Sequence, residues 1–285
     1  MQINKENLTI VIVTIKSENV IKKCLDSIHQ DINKIIIENS RDEKLFIDLK
    51  KNYTNLECYS TGENYGMGKG NNFGIKKSKT RYVMVLNPDT ILRYNTLEEI
   101  FKVSNELDFA ILSPISDNEK FPNYNISKQL SNDNEDLFEV DYVDGYAMIL
   151  DKEKFNDSFF DEKFFMYLEN DDLCFRVKKR GEKIYVFKKA LINHLGAQAV
   201  DDKFSEELQL SRNWHWSWSK FYYRKKHYGF LFAFLKGFPS FLSSCLKCFL
   251  YLFIYKKFKS KIYFNKASGF FNSLMNKNSW YRPKI

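Results

Sequence analysis

The sequence predicts an α/β fold with a mostly parallel β-sheet and flanking helices, followed by a basic, amphipathic helical tail. Short runs rich in β-branched residues, such as LTIVIVT at 8–14, are typical of strands buried on both faces of a parallel sheet. Stretches with apolar residues at helical spacing, as at 20–29, separate these runs. Strands and helices that alternate in this way indicate βαβ units and a parallel sheet.

Four strands are predicted in the first third of the chain. They fall at 8–14, 34–37, 56–60 and 82–86, with a helix after each of the first three. Ligands of such sheets bind outside the carboxyl ends of the strands. Polar residues that end these strands should therefore meet at one edge of the sheet, and they are Thr14, Glu38, Asn39, Asn87 and Asp89.

The next part of the chain is less regular. The segment 113–141 is polar and Asn-rich and is predicted as loop. A helix is expected from 171 to 180, where Gly181 can end it. Further strands are predicted at 143–150, 183–187 and 190–194.

Charge divides the chain into an acidic body at 1–205 and a basic tail at 206–285. The net charge is +8, yet the tail alone has 15 Lys and Arg against 2 Asp and Glu, and all 4 Trp. An acidic body excludes a uniformly basic nucleic-acid binder. Apolar content of 44% excludes a disordered chain, and charged content of 28% excludes a polytopic membrane protein. We therefore expect two domains, with the boundary near residue 205.

The five cysteines are an odd number without the spacing of a disulfide framework. The polar N-terminus leads straight into a strand without the pattern of a secretory signal. Both observations favour a chain that stays in a reducing cytoplasm.

Asn87-Pro88-Asp89 follows a predicted buried strand directly. A carboxylate at the end of a rigid strand can ligate a hard divalent cation that carries nucleotide phosphates. The same residues are also typical of a turn in which an Asp caps a helix. The residues alone leave both interpretations open.

Three further motifs have a functional and a structural interpretation. The glycine-rich loop 64–72 opens a helix and can face an anion, but it is neither a Walker loop nor a Rossmann fingerprint. The acids within 164–176 lie beside apolar residues, which can raise a carboxyl pKa to a value suited to proton abstraction. Their structural interpretation is an acidic first turn that the helix dipole favours. His194 ends a strand, where it would complete a metal site or serve a structural role.

Taken in order over residues 8–229, these motifs resemble the inverting glycosyltransferases of family two, and in particular the rhamnosyltransferase-like members. The resemblance implies the GT-A fold, a Rossmann-like nucleotide-diphospho-sugar transferase fold, over 1–205. It also implies a site for a nucleotide-diphosphate sugar and a divalent cation, Mn²⁺ or Mg²⁺. The residues implied for the donor nucleotide are Thr14, Glu38, Asn39, Asn64, Gly66 and Asn87. Those implied for the metal are Asp89 and His194, and those near the sugar or acceptor are Asp144 and Gly145.

The sequence departs from the family pattern at two positions. Asn87 replaces the first Asp of a D-x-D motif, so the metal should depend on Asp89, His194 and the donor's phosphates. Asn170 stands where the family usually has the Asp that acts as base, and an amide cannot accept a proton in this role. The catalytic carboxylate is therefore expected to be a neighbour. Glu169 is the first candidate and Asp171 the second. Glu169 and Asp172 share a helix face, so one of them can orient the other.

The tail contains a Phe- and Leu-rich segment at 230–255. Its longest uncharged stretch, 237–246, is shorter than the ~20 residues of a spanning helix. A polar stripe on an otherwise apolar helix, broken or started at Pro239, predicts a helix in the membrane interface with flanking bases on anionic headgroups. Packing on the catalytic domain and a dimer interface are the alternatives, whereas nucleic acid suits this apolar surface poorly.

These observations together predict a peripheral enzyme on the cytoplasmic face of the cell membrane. It would transfer a sugar, rhamnose by branch resemblance, from a nucleotide donor to a lipid-linked cell-surface glycan. The amides Asn87 and Asn170 leave an alternative, an inactive nucleotide-sugar or glycan-binding module. A membrane scaffold is the other alternative.

Overall fold

A computed structural model describes residues 2–40, 44–105, 107–118, 120, 122–125, 136–196 and 204–283. The chain divides into two compact units. The sheet unit comprises Met1–Asp161 and Asn170–Asp201, and the helical unit comprises Glu162–Glu169 and Asp202–Ile285. A short internal segment thus belongs with the C-terminal helices.

The strands of the sheet unit alternate with helices over the first third of the chain, as predicted. The strands are β1 (Leu8–Thr14), β2 (Asn33–Glu38), β3 (Leu56–Ser60), β4 (Tyr82–Leu86), β5 (Thr90–Leu92), β6 (Ile111–Ser116), β7 (Tyr124–Asn125), β8 (Leu137–Glu139), β9 (Tyr142–Val143), β10 (Ala147–Asp151) and β11 (Ile184–His194). The helices are α1 (Ile21–Asp26), α2 (Lys44–Asn52), α3 (Gly66–Lys77), α4 (Thr96–Val103) and α5 (Glu169–Lys179).

The central sheet has the strand order β3-β2-β1-β4-β10-β6-β11-β5, and β8 also pairs with β11. The first four strands of this order are parallel, and Thr14 lies opposite Glu38 in the register. Beyond them the sheet is mixed, because β10 is antiparallel to both β4 and β6. The α/β fold is confirmed, and the carboxyl ends of β1, β2 and β4 form one edge.

Both faces of the sheet are buried, as the uninterrupted apolar runs predict. Ile10 and Ile12 belong to one hydrophobic cluster, whereas Val11 and Val13 belong to the other. All seven residues of β1 are buried. Side chains alternate between the faces of a strand, so β1 contributes to two cores.

The second half of the sheet unit differs from the predictions in three places. The predicted loop at 113–141 contains strand residues, and its part at 126–135 lies outside the described residues. Ser113 is buried in β6, where its hydroxyl donates to the Ala147 carbonyl at 2.8 Å, so a polar residue is satisfied inside the sheet. The two strands predicted at 183–194 are one strand, β11, with a register shift between Phe187 and Leu191. The strand predicted at 143–150 is interrupted by a turn between β9 and β10.

Helix α3 approaches the sheet so closely that Gly74 has no room for a side chain. A Cβ at this position would lie 2.3 Å from Cγ1 of Val11. We expect Gly74→Ala to lower the free energy of unfolding by about 1–3 kcal/mol, because the added methyl overpacks the contact. Urea denaturation measures this change. Lys76→Ala, at an exposed position of the same helix, should stay within about 0.5 kcal/mol, and equal effects would contradict the expectation.

The helical unit contains α6 (Ser205–Tyr228), α7 (Phe230–Phe253) and α8 (Lys257–Leu274). Gly229, at a φ of +88°, separates α6 from α7. Pro239 neither breaks nor starts a helix, contrary to the prediction, and lies inside α7. Proline has no N–H, so the Leu235 carbonyl loses the hydrogen bond that residue 239 would donate. Both residues are exposed, so water can donate to that carbonyl instead.

Helix α7 turns small residues toward the other two helices and large apolar residues toward solvent. Ala233, Gly237 and Ser244 are its buried residues. The exposed side includes Leu231, Leu235, Leu242, Leu246, Phe249 and Phe253. No helix within the described ranges has the length and hydropathy needed to cross a membrane.

Candidate active site

Glu38 forms the centre of a buried hydrogen-bond network at the carboxyl edge of the sheet. It ends β2 and is 1% exposed. Its Oε2 accepts the Thr14 hydroxyl at 2.7 Å, and its Oε1 accepts the backbone N–H of Ser40 at 2.8 Å. Burial raises the pKa of the Glu38 carboxyl, and these hydrogen bonds oppose the rise. The protein itself engages both oxygens, so Glu38 shapes this edge and holds the turn after β2.

Asn39 extends the network to the loop before α3. Its amide donates to the Gly66 carbonyl at 2.9 Å, and its oxygen accepts the Thr61 hydroxyl at 3.2 Å. The Asn64 side chain accepts the N–H of Gly66 at 3.0 Å, where a φ of +75° favours glycine. The structure therefore brings together five of the residues implied for the donor. Sequence reasoning missed Thr61. Its position directly after β3 was the one signal that could have identified it.

Asp89 lies in a tight turn between two strands. The Thr90 N–H donates to the Asn87 carbonyl at 3.1 Å, and Thr90 begins β5. The alternative interpretation, a cap at the start of a helix, is therefore wrong. Asp89 is 2% exposed, and its Oδ1 accepts no hydrogen bond within the described part of the chain. Nε2 of His194 lies 3.4 Å from that oxygen.

Three contacts hold His194 next to Asp89. His194 ends β11 and pairs with Thr90 in the sheet, and the N–H of Leu195 donates to the Asp89 carbonyl at 2.9 Å. The His194 ring stacks on Tyr146, with centroids 4.0 Å apart and an interplanar angle of 14°. The two implied metal ligands, 105 positions apart in the chain, are thus neighbours. Sequence reasoning missed Tyr146, although it directly follows Asp144-Gly145.

The Asp89–His194 pair suits a cation that arrives with a phosphorylated ligand. Over the residues that the structure describes, no group of three or more His, Cys, Asp or Glu could hold a metal ion. Mg²⁺ sites commonly use one or two protein ligands and complete the shell with substrate phosphates and water. A buried carboxylate oxygen without a donor is chemically suited to a cation.

Asn170 supports the turn between β9 and β10. Its amide donates to the Tyr142 hydroxyl at 3.0 Å and to the Val143 carbonyl at 3.3 Å, and the same hydroxyl donates to Oδ1 of Asp144. A Cβ at Gly145 would lie 3.2 Å from the Cβ of Asn170, which leaves little space for a larger residue. The turn leads directly to Tyr146, so one loop carries Asp144 and the ring that stacks on His194.

The acids of α5 have different environments. Burial raises the pKa of Asp171 to about 6, and the charges of Asp144 and Asp172 add to the rise. Asp172 is fully buried, and its Oδ2 accepts from Nε of Arg176 at 2.9 Å. Glu169 is the first residue of the helix. A pKa of about 6 suits Asp171 to exchange a proton near neutral pH.

The profile of Glycosyl transferase family 2 matches residues 9–174, more than half of the chain. The chain belongs to glycosyl transferase family 2. The matched range contains every implied site residue except His194, which lies beyond it.

Two curated proteins resemble this family 2 chain. The low-salt glycan biosynthesis hexosyltransferase Agl10 of Haloferax volcanii is 26% identical over 225 residues, which are 72% of each protein. The rhamnosyltransferase WbbL of Escherichia coli K12 is 28% identical over 211 residues, or 62% of this chain and 78% of that protein. Both are consistent with the rhamnosyltransferase-like branch of family 2 that the motifs indicate.

Solved structures share the fold of this family 2 enzyme. Residues 1–349 of S. aureus TarS superpose with a TM-score of 0.53 at 15% identity, over 96% of this chain and 93% of that fragment. The chain spans 39% of the longer TarS structure. GalNAc-T7 with UDP, GalNAc and Mn²⁺ gives a TM-score of 0.54 at 12% identity, over 73% of this chain and 50% of that one. The chain is thus a glycosyltransferase with the GT-A fold and a helical C-terminal region.

The hydrogen bonds of Asn170 predict the result of restoring the family's acid. In Asn170→Asp a carboxylate would face the Val143 carbonyl in place of a donor. We expect a loss of about 1–3 kcal/mol in the free energy of unfolding, because the carbonyl loses its partner and faces a charge. Chemical denaturation measures the loss. Asn170→Asp with unchanged stability and higher turnover would show instead that the position accepts the family's base.

Proposed function

We propose that this family 2 enzyme transfers a sugar from a nucleotide-diphosphate donor to a hydroxyl of a growing, lipid-linked cell-surface glycan, with inversion at the anomeric carbon. The observation that carries the proposal is the Asp89–His194 pair beside the hydrogen-bonded edge formed by Thr14, Glu38 and Asn39. TarS structures contain UDP and UDP-GlcNAc, which supports a nucleotide-sugar donor here. Hexosyltransferase and rhamnosyltransferase relatives support a hexose, with rhamnose from a dTDP donor as the specific proposal.

Asp89 and His194 would hold the divalent cation, Mn²⁺ or Mg²⁺. When bound, the cation supplies Lewis-acid stabilisation of the charge on the leaving diphosphate. The edge at Asn39, Asn64 and Gly66 would bind the nucleotide. Asn87 follows β4 directly, and its N–H donates to the Tyr146 carbonyl at 2.9 Å; its side chain would position the donor. Asp144 and Gly145 would face the transferred sugar or the acceptor.

A carboxylate in the first turn of α5 would take the proton of the acceptor hydroxyl as its oxygen attacks the anomeric carbon and the diphosphate leaves. Sequence reasoning ranks Glu169 first for this role. The raised pKa of Asp171 favours Asp171, which is near Asp144 of the turn between β9 and β10. Asp172 would orient the helix through its ion pair with Arg176. We propose Asp171 as the base and keep Glu169 as the alternative.

The helical unit would hold the enzyme at the cytoplasmic face of a membrane. Its support is the exposed apolar side of α7, on which Leu231 is 68% and Phe253 83% exposed. Large exposed apolar patches mark interaction surfaces. Membrane binding would raise the effective concentration of a lipid-linked acceptor.

Thermal denaturation with a panel of nucleoside diphosphates, each with and without Mn²⁺, tests the donor site. Ligands that bind only the folded state stabilise it, by about 2.7 kcal/mol at a concentration of 100 Kd. We expect a metal-dependent rise in Tm with UDP or dTDP. No shift with any nucleotide would favour a scaffold. Binding without turnover of any nucleotide sugar would favour the inactive binding module.

A further inference from the structure

Tyr146 contacts both halves of the proposed cation site. It directly precedes β10, and its carbonyl accepts the N–H of Asn87 at 2.9 Å and the hydroxyl of Thr90 at 3.5 Å. Asn87 and Thr90 begin and end the turn that contains Asp89. The backbone of Tyr146 therefore supports this turn, while its ring stacks on His194.

The sheet fixes the backbone of His194 but not the plane of its ring. Pairing with Thr90 places the Cα atom of His194. Rotation about the Cβ–Cγ bond of a histidine has broad energy minima, so the strand alone leaves the imidazole free to turn. Yet Nε2 lies 3.4 Å from Oδ1 of Asp89, the position that a shared cation requires. Another contact must hold the ring in this orientation.

The usual contact for this purpose is absent from the described part of the chain. A histidine that binds a metal through one ring nitrogen is usually oriented by a hydrogen bond from the other, to a carboxylate, a carbonyl or water. Among the described residues, the His194 ring contacts Asp89 through Nε2 and stacks on Tyr146, and its Nδ1 has no hydrogen-bond partner. The stack is thus the contact that remains to orient the imidazole.

The geometry of the stack suits this role. The ring centroids lie 4.0 Å apart and the planes differ by 14°. Carbon atoms pack best at about 3.5–4.0 Å, so a turn of the imidazole would drive its edge into the phenol ring. The Tyr146 ring is itself held, because it packs against the core cluster that contains Leu86 and Ile192. Its hydroxyl lies next to the Ser116 side chain of β6.

We infer that Tyr146 is a positioning residue of the cation site, where its ring fixes the plane in which the His194 imidazole offers Nε2 to a divalent cation beside Asp89. Tyr146 acts through His194 and contributes no ligand atom. The inference rests on the proposed function, because it requires the cation that Asp89 and His194 would hold.

Mn²⁺ affinity of the full chain tests this inference without any turnover. Mn²⁺ is titrated in the presence of UDP or dTDP, and the electron paramagnetic resonance signal of free Mn²⁺ gives the Kd. We expect Tyr146→Leu to raise the Kd for Mn²⁺ about tenfold, the lower end of the usual effect of an orienting partner. Tyr146→Phe keeps the ring and should bind Mn²⁺ like the wild type. An unchanged Kd in Tyr146→Leu, or an equal loss in Tyr146→Phe, would overturn the inference.

A double-mutant cycle shows whether Tyr146 acts through the imidazole. Two residues that act as a unit have non-additive effects. Tyr146→Leu should therefore weaken Mn²⁺ binding no further once His194→Ala is present. Full additivity of the two effects would show that Tyr146 acts elsewhere, and the inference would be wrong.

The stack also has a signature in the protein without metal. The ring current of Tyr146 should shift the imidazole protons of His194 upfield in the proton NMR spectrum. His194→Ala assigns these resonances among the 4 histidines of the chain. Tyr146→Leu should abolish the upfield shift and Tyr146→Phe should keep it. A shift that persists in Tyr146→Leu would contradict the stack.

Tyr53→Leu is a matched control for general destabilisation. Tyr53 is a partly buried aromatic residue on the same core cluster, and its hydroxyl donates to Asp26 at 2.7 Å. It precedes β3 and so lies at the opposite end of that strand from the site. Tyr53→Leu should lower the Tm of the free protein and leave the Kd for Mn²⁺ unchanged. The same loss of Mn²⁺ affinity in both Leu variants would refute a specific role for Tyr146.

The wild type and His194→Ala separate failure of this inference from failure of the proposed function. A wild type that binds the nucleotide without any effect of Mn²⁺ would refute the cation site, and with it both proposals. Loss of Mn²⁺ affinity in His194→Ala but not in Tyr146→Leu would refute the role of Tyr146 alone.

Discussion

Asp89→Asn is expected to lower kcat/KM about a thousandfold, which corresponds to about 4 kcal/mol of transition-state stabilisation. The substitution keeps the shape of a side chain that is 2% exposed and removes its charge. The cation should then lose the carboxylate proposed to ligate it and keep only the His194 imidazole of the proposed pair. The nucleotide-induced rise in Tm should no longer depend on Mn²⁺. Initial rates with the donor that stabilises the wild type, and Tm with and without metal, measure both effects.

The matched control for this variant is Asp48→Asn. Asp48 is an exposed carboxylate of α2 in the same unit, and it pairs with Lys22. Its loss should leave the metal dependence of nucleotide binding unchanged. Asp89→Asn with wild-type turnover and the same response to Mn²⁺ would refute the metal site.

Asp171→Asn is expected to lower kcat by about 10²–10⁴-fold, the usual contribution of a positioned general base. Donor binding should persist, because the nucleotide network does not include this residue. A base must be deprotonated to act, so the wild-type rate should fall as the pH drops through the pKa of about 6 that burial gives Asp171. Rates measured across this pH range, with the donor Kd measured separately, provide the test.

Glu169→Gln separates the two candidates for the base. If Asp171 is the base, Glu169→Gln should keep most of its turnover, and its rate should still fall as the pH drops through about 6. An inactive Glu169→Gln that still binds the donor, together with an active Asp171→Asn, would identify Glu169 as the base. The ranking from the sequence would then be right, and the raised pKa of Asp171 would be a structural consequence of its burial.

The first half of the fold was predictable because its signals are local. In β1, seven consecutive apolar or β-branched residues indicate burial on both faces, and all seven are buried. Parallel strands joined by helices bring their carboxyl ends to one edge, so Thr14 and Glu38 could be expected to meet there. They do, and they share a hydrogen bond.

The second half was harder because its strands carry polar residues that only distant partners satisfy. Ser113 is polar, and the sequence pattern therefore predicts a loop. In the fold its hydroxyl donates to the Ala147 carbonyl, so it can lie inside a strand. In β11, Lys188 and Lys189 divide the apolar pattern in two, yet both are exposed at the register shift and the strand continues. A one-dimensional pattern reports burial but not which distant group accepts a hydrogen bond.

The sequence by itself determined the α/β class, the order of the first strands and the polar residues at their ends, because each depends on neighbours along the chain. Only the tertiary structure decided that Asp89 stands in a turn between strands and 3.4 Å from His194. It also decided that Asn170 supports a turn and that burial raises the pKa of Asp171. The physical reason is that distances, burial and pKa depend on segments that sheet register and helix packing bring together from far apart in the chain.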